Sequence, residues 1–116
     1  MQKLTIIGRL TKDSELKYTT GGTSVLEMNI AVDDGWGDKK ATLWIRASMF
    51  GERAEKLAQY LLKGQQVYVE GRLRHQEGNP TAFLRKDGTA GAAFEVTVSE
   101  LTMLGGKKQQ EDDTGF

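Results

Sequence analysis

From Leu43 to Phe50 the sequence alternates in polarity, and a β-strand sends successive side chains to opposite faces. One face therefore carries Leu43, Ile45, Ala47 and Met49, and the other carries Trp44, Arg46, Ser48 and Phe50. The first set is ordinary core. The second sets two aromatic rings on either side of a guanidinium and a hydroxyl, groups that suit a flat, anionic ligand. A single strand of nucleic acid offers both features, a π-face on each base and a charge on each phosphate. A second reading fits the same row: Trp44 and Phe50 form a minor core beneath a loop or at a contact between subunits.

Around that strand the polarity pattern is mostly of period two. Residues 4–10 read as a first strand, and Glu15 to Thr20 as its continuation or partner before the Gly21-Gly22 turn. Leu26, Met28, Ile30 and Val32 alternate in the next strand. Asp33 to Asp38 is too polar and glycine-rich for a strand interior, which places Trp36 on a loop or hairpin end. Between Gly51 and Gly64 the period changes. Ala54, Leu57, Ala58, Leu61 and Leu62 recur at helical spacing, predicting one short amphipathic helix that ends at Gly64. Val67, Val69, Gly71 and Leu73 then alternate with Tyr68, Glu70, Arg72 and Arg74. Gln76 to Ala93 reads as a long mobile hairpin. Phe94, Val96 and Val98 form the last strand and share core parity, with an irregularity expected before Leu101 and Met103, where the apolar parity shifts.

This order predicts an all-β protein with one short helix. A helix between the third and fourth strands matches a five-stranded OB-fold Greek-key barrel, where it plugs one end. An SH3-like barrel or another small β-roll shares part of the pattern. The 116 residues suit one domain, residues 1–106, followed by a disordered acidic tail, residues 107–116.

Sixteen Lys and Arg balance sixteen Asp and Glu. Glu111, Asp112 and Asp113 lie in the last six residues, so the body before them is mildly basic, with sixteen basic against thirteen acidic groups. Arg46, Arg72 and Arg74 stand on strand faces opposite core residues and are candidates for phosphate contacts, as are Arg9, Lys39, Lys40, Arg85 and Lys86. The absence of cysteine and the single histidine, His75, leave no expected metal set and no thiol chemistry. There is no phosphate-binding Walker loop and no Ser-His-Asp set, so neither an enzyme nor a cofactor is expected. No apolar run approaches the roughly 20 residues of a membrane-spanning helix, and the start, Met1-Gln2-Lys3-Leu4, opens no secretory stretch. A cytoplasmic protein is the expectation.

Several segments also resemble bacterial single-stranded DNA-binding proteins, in shared order and spacing. They are Leu4-Thr5-Ile6-Ile7-Gly8-Arg9-Leu10 with Asp13 to Tyr18, Leu43-Trp44-Ile45-Arg46 running to Phe50-Gly51, and Ala54-Glu55 with Tyr60-Leu61-Leu62-Lys63-Gly64. Gln66 to Arg74 and Met103-Leu104-Gly105-Gly106 complete the set. The resemblance implies an OB-fold that assembles as a homo-oligomer, a tetramer in preference to a dimer. It implies coating of single-stranded DNA without strong sequence preference during replication, recombination and repair, in a bacterial cell at the nucleoid or under a phage or plasmid gene. It assigns base stacking to Trp36, Trp44, Phe50 and Phe83.

The final residues resemble the family's partner-binding tip, in which Glu111, Asp112, Asp113 and Phe116 recruit replication, recombination and repair proteins. Thr114 and Gly115 depart from the isoleucine and proline usual there, and the long linker usual before the tip is almost missing. The tip is then expected to suit fewer partners. The rival reading is an OB-fold protein-interaction or primosome-assembly module that does not chiefly bind single-stranded DNA.

Overall fold

A computed structural model describes residues 1–105, without the side chains of Phe83 and Leu84. The tail residues Glu111, Asp112, Asp113 and Phe116 lie outside the described residues. In chain order the elements are β1 (Leu4–Leu10), β2 (Glu15–Tyr18), β3 (Ser24–Asp34), a single 3-10 turn (Gly37–Lys39), β4 (Ala41–Phe50), α1 (Glu52–Leu57), β5 (Gln66–Leu73), β6 (Thr81–Leu84) and β7 (Ala90–Leu104).

Five of the strands close on themselves. β1 pairs with β5, β5 with β7, β7 with β4, β4 with β3, and β3 returns to β1 through Arg9↔Ala31 and Leu10↔Ile30. β4 and β7 run parallel, while the other pairings are antiparallel. This is the expected OB barrel. β2 extends β3 as a hairpin partner, and β6 extends β7.

Alternation places the core. On β3, Leu26, Met28 and Ile30 are sealed inside, and on β4 the same holds for Ile45, Ala47 and Met49, as their spacing predicts. Two glycines allow the strands to curve this tightly. A Cβ on Gly8 would strike the carbonyl oxygen of Ala31, where β1 passes from β5 to β3, and one on Gly71 would strike that of Thr97 on β7. Only a residue without a side chain fits at such an approach.

The expected irregularity in the last strand is a β-bulge. Glu70 pairs with Glu100 but Gly71 pairs with Val98, so Ser99 is the extra residue. Its hydroxyl donates to the Glu70 carbonyl at 3.1 Å. The inserted residue moves the inward parity from Val96 and Val98 to Leu101, all of which are buried.

Three expectations need correction. The helix stops at Leu57 and does not run on to Gly64. Past that point the backbone serves the β1–β2 connection instead: Ser14 N–H donates to the Leu61 carbonyl, and the Asp13 carboxylate accepts from Lys63 N–H at 2.8 Å. Leu61 still reaches the core and, with Ala54, plugs the barrel, but Leu62 is exposed. Leu73 is also exposed, since β5 has run past the barrel end by then, where Gln2 pins its backbone through both N–H and C=O. The third is Phe94, which stands at the opening of the barrel, half exposed, although it shares parity with Val96 and Val98.

Candidate nucleic-acid interface

The outer face of β4 holds the row read from its alternation. Trp44 is 65% exposed and Phe50 47%, while the residues between them that point inward are buried. Across β3, Ala31 faces Trp44 and Asn29 faces Arg46; across β7, Glu95 faces Arg46 and Thr97 faces Ser48. The small Ala31 leaves the indole uncovered on that side.

Beside Trp44 lies a depression of about 550 Å³, whose walls include Phe94, Thr42, Leu43, Thr11 and Lys12. A second depression of about 280 Å³ adjoins it, with Lys12, Asn29 and Arg46 in the walls of both. That second depression is polar, walled by Arg74, Glu95, Ser48, Glu15 and Glu27. Arg74 then borders a third of about 240 Å³, with Arg72, Leu73, His75 and Thr97. Together they form a track that passes from aromatic to cationic walls.

Charge along the track is mixed. Arg46 and Arg74 both meet Glu95, at 3.4 and 3.9 Å. Opposite them Lys17 bridges Glu27 at 3.0 Å and Glu15 at 3.7 Å. Its hydrogen bond to Glu27 and the charges of both acids hold its ammonium above the usual lysine value.

The remaining sequence candidates are more scattered. Trp36 is 85% exposed on the β3–β4 hairpin, where Lys39 and Lys40 also lie. Phe50 shares the face of Trp44 but stands six residues along the strand, about 20 Å away. Arg9 lies outside the track. Its guanidinium donates to the Gly64 carbonyl at 3.0 Å beside Lys63 and Gln66. Arg72 and Arg74 line the far end. In the β6–β7 hairpin, the Arg85 guanidinium donates to the Ala90 carbonyl, and Lys86 is exposed in the same turn. Phe83 lies on β6 opposite Gly91, with its side chain outside the described atoms.

The family model for the single-strand binding protein family matches residues 1–104. The chain belongs to that family. The single-stranded DNA-binding protein of Neisseria meningitidis serogroup A (strain Z2491) is 32% identical over 114 residues, covering 94% of this chain and 63% of the relative. Single-stranded DNA-binding protein 1 of Xylella fastidiosa (strain 9a5c) is 34% identical over 121 residues, covering 99% and 85%. The chain therefore spans less than two thirds of the length of the Neisseria relative.

Two residues of this family member's track escaped sequence reasoning. Phe94 has core parity in the sequence, and parity cannot tell a barrel interior from a barrel opening. Its one visible signal is the Ala92-Ala93 pair before it, too small to cover a ring. Lys12 falls in the short connection between β1 and β2, where no alternation marks a face. Among the described residues, no three His, Asp or Glu side chains gather to hold a metal ion, and no helix is long and apolar enough to cross a membrane.

Proposed function

We propose that this chain is a binding protein for single-stranded DNA that stacks bases on aromatic rings and neutralises phosphates with arginines, and that it is not an enzyme. The observation that carries the reading is Trp44, uncovered over a depression that Phe94 also borders, with Arg46, Arg74 and Arg72 lining the depressions next to it. Each stacked base contributes about 1–3 kcal/mol whatever its identity, which suits coating without sequence readout. Trp36, Phe50 and Phe83 add platforms at a distance from Trp44, and Lys39, Lys40, Arg9, Arg85 and Lys86 add cations for a strand that wraps the barrel. The names of the relatives support the same ligand.

The finer reading places this coating in replication, recombination and repair, in the cytoplasm, with partner proteins recruited through Glu111, Asp112, Asp113 and Phe116. It also includes assembly with further copies of the chain, a tetramer in preference to a dimer. Support for assembly comes from the outer face of β1 and β5, where Ile7 is half exposed and pairs with Tyr68. β1 touches β3 only through Arg9 and Leu10, which leaves a strand edge for another chain. Light scattering on the purified protein gives the number of copies.

Tryptophan fluorescence tests the ligand. Adding poly(dT) at low protein concentration is expected to quench Trp36 and Trp44 strongly. A chain that shows no quench with any oligonucleotide is instead a protein-docking module.

A further inference from the structure

Glu95 is the acid that faces both groove arginines. It sits opposite Arg46 in the parallel β4–β7 ladder, and its own carbonyl accepts from the backbone N–H of Arg74 at 2.7 Å. Its two carboxylate oxygens are divided between them, Oε2 toward Arg46 Nη1 at 3.4 Å and Oε1 toward Arg74 Nη1 at 3.9 Å. The acid lies beneath and the cations above: its side chain is 18% exposed against 52% for each arginine. The other acids of this depression, Glu15 and Glu27, are held by Lys17.

We propose that Glu95 sets how tightly this groove holds a phosphate, orienting Arg46 and Arg74 while cancelling one of their two charges. The proposal rests on the single-stranded DNA reading above. Ion pairs this long, with both guanidinium groups half exposed, add little to the stability of a fold, so their consequence is the charge and direction of those groups. A phosphate entering between the arginines meets one net positive charge instead of two and competes with the carboxylate for the same donors. Both effects favour a strand that is held yet readily released.

Glu95→Gln keeps the shape and removes the charge. Titrations of oligo(dT) over a range of salt, followed by tryptophan quenching on the full chain, compare it with the parent protein. One additional neutralised phosphate steepens the log–log salt slope by about 0.7, a gap that shrinks ~5-fold for each tenfold rise in salt. The expected result is binding about tenfold tighter than the parent at tens of millimolar salt, with that steeper slope and an unchanged melting temperature. Equal or weaker binding, or an unchanged slope, overturns the proposal. Glu95→Ser is read in the same way should the glutamine variant fail to fold, and unfolding of both assigns Glu95 to the fold and overturns it as well. Failure of the parent protein to bind overturns the DNA reading itself, an outcome separate from any difference between variants.

Discussion

Phe94 and Trp44 border one depression although they come from strands distant in sequence and start from opposite faces: the parallel ladder pairs Phe94 with the inward Ile45, the residue after the outward indole, and the depression lies at the barrel opening. Antiparallel hairpins join neighbours in the chain. This shared depression instead depends on closing the barrel, which brings β7 alongside β4.

Replacing Trp44 by alanine is expected to weaken oligo(dT) binding by about 1–3 kcal/mol. The melting temperature should hold, since so open a side chain contributes little to the core. Ile45→Ala, one residue further along the same strand, should do the opposite, costing about 2–5 kcal/mol of stability. Fluorescence titration and thermal melts of the two variants separate the roles, and a Trp44→Ala protein with full affinity would remove the indole from the interface.

Phe94→Ala is expected to behave like the Trp44 variant, with a loss of about 1–3 kcal/mol in binding and a stable fold. A core role would give the reverse pattern, a large drop in melting temperature and unchanged affinity for the folded protein.

Gly71→Ala should be among the most damaging single changes in the barrel. The added methyl meets the backbone oxygen of Thr97, which cannot move without breaking the β5–β7 ladder at its bulge. A loss of more than about 3 kcal/mol in denaturant melts is expected, beyond the range of ordinary substitutions.

Glu70 accepts from the Tyr68 hydroxyl at 2.6 Å and pairs with Lys3 at 3.1 Å. The Tyr68 hydrogen bond, followed by that from Lys3, holds its carboxyl below the ordinary value of 4.5. A carboxyl lowered on folding adds stability above its unfolded value and loses it as pH falls through the folded one. Tyr68 and Lys3 are raised by the same carboxylate, so their contribution is present below their unfolded values of 10.0 and 10.5 and is lost as pH rises through the folded ones. Melting temperature should therefore sag at both extremes. Glu70→Gln should flatten both limbs by lowering the middle of the range, where this stabilisation is fully present, while the extremes change little.

Deleting Phe116 should leave affinity for oligo(dT) within twofold, roughly the scatter of a surface change, while abolishing capture of purified replication or repair proteins. Capture that survives the deletion would rule out the tip as the hook.

Much of this protein was legible before folding, because strand alternation depends only on local geometry. The exposed faces of Trp44, Arg46 and Phe50, the buried faces of β3 and β4, and the break in parity at Ser99 all follow from a period of two. The helix end was not legible. Leu61 and Leu62 keep helical spacing, but the Leu61 carbonyl is claimed by Ser14 and the Lys63 N–H by Asp13, more than forty residues earlier in the chain.

Sequence by itself thus determined which side of each strand faces the core, which aromatic residues stand on the outer side of β4, and the family to which the chain's motifs point. Only the closed barrel decided that Phe94 borders the same depression as Trp44, that Lys12 reaches the track, that Arg9 lies elsewhere, and that Arg46 and Arg74 share one acid. Alternation is fixed by the backbone of a single strand, whereas these relationships require strands far apart in sequence to be set side by side by the packing of the common core.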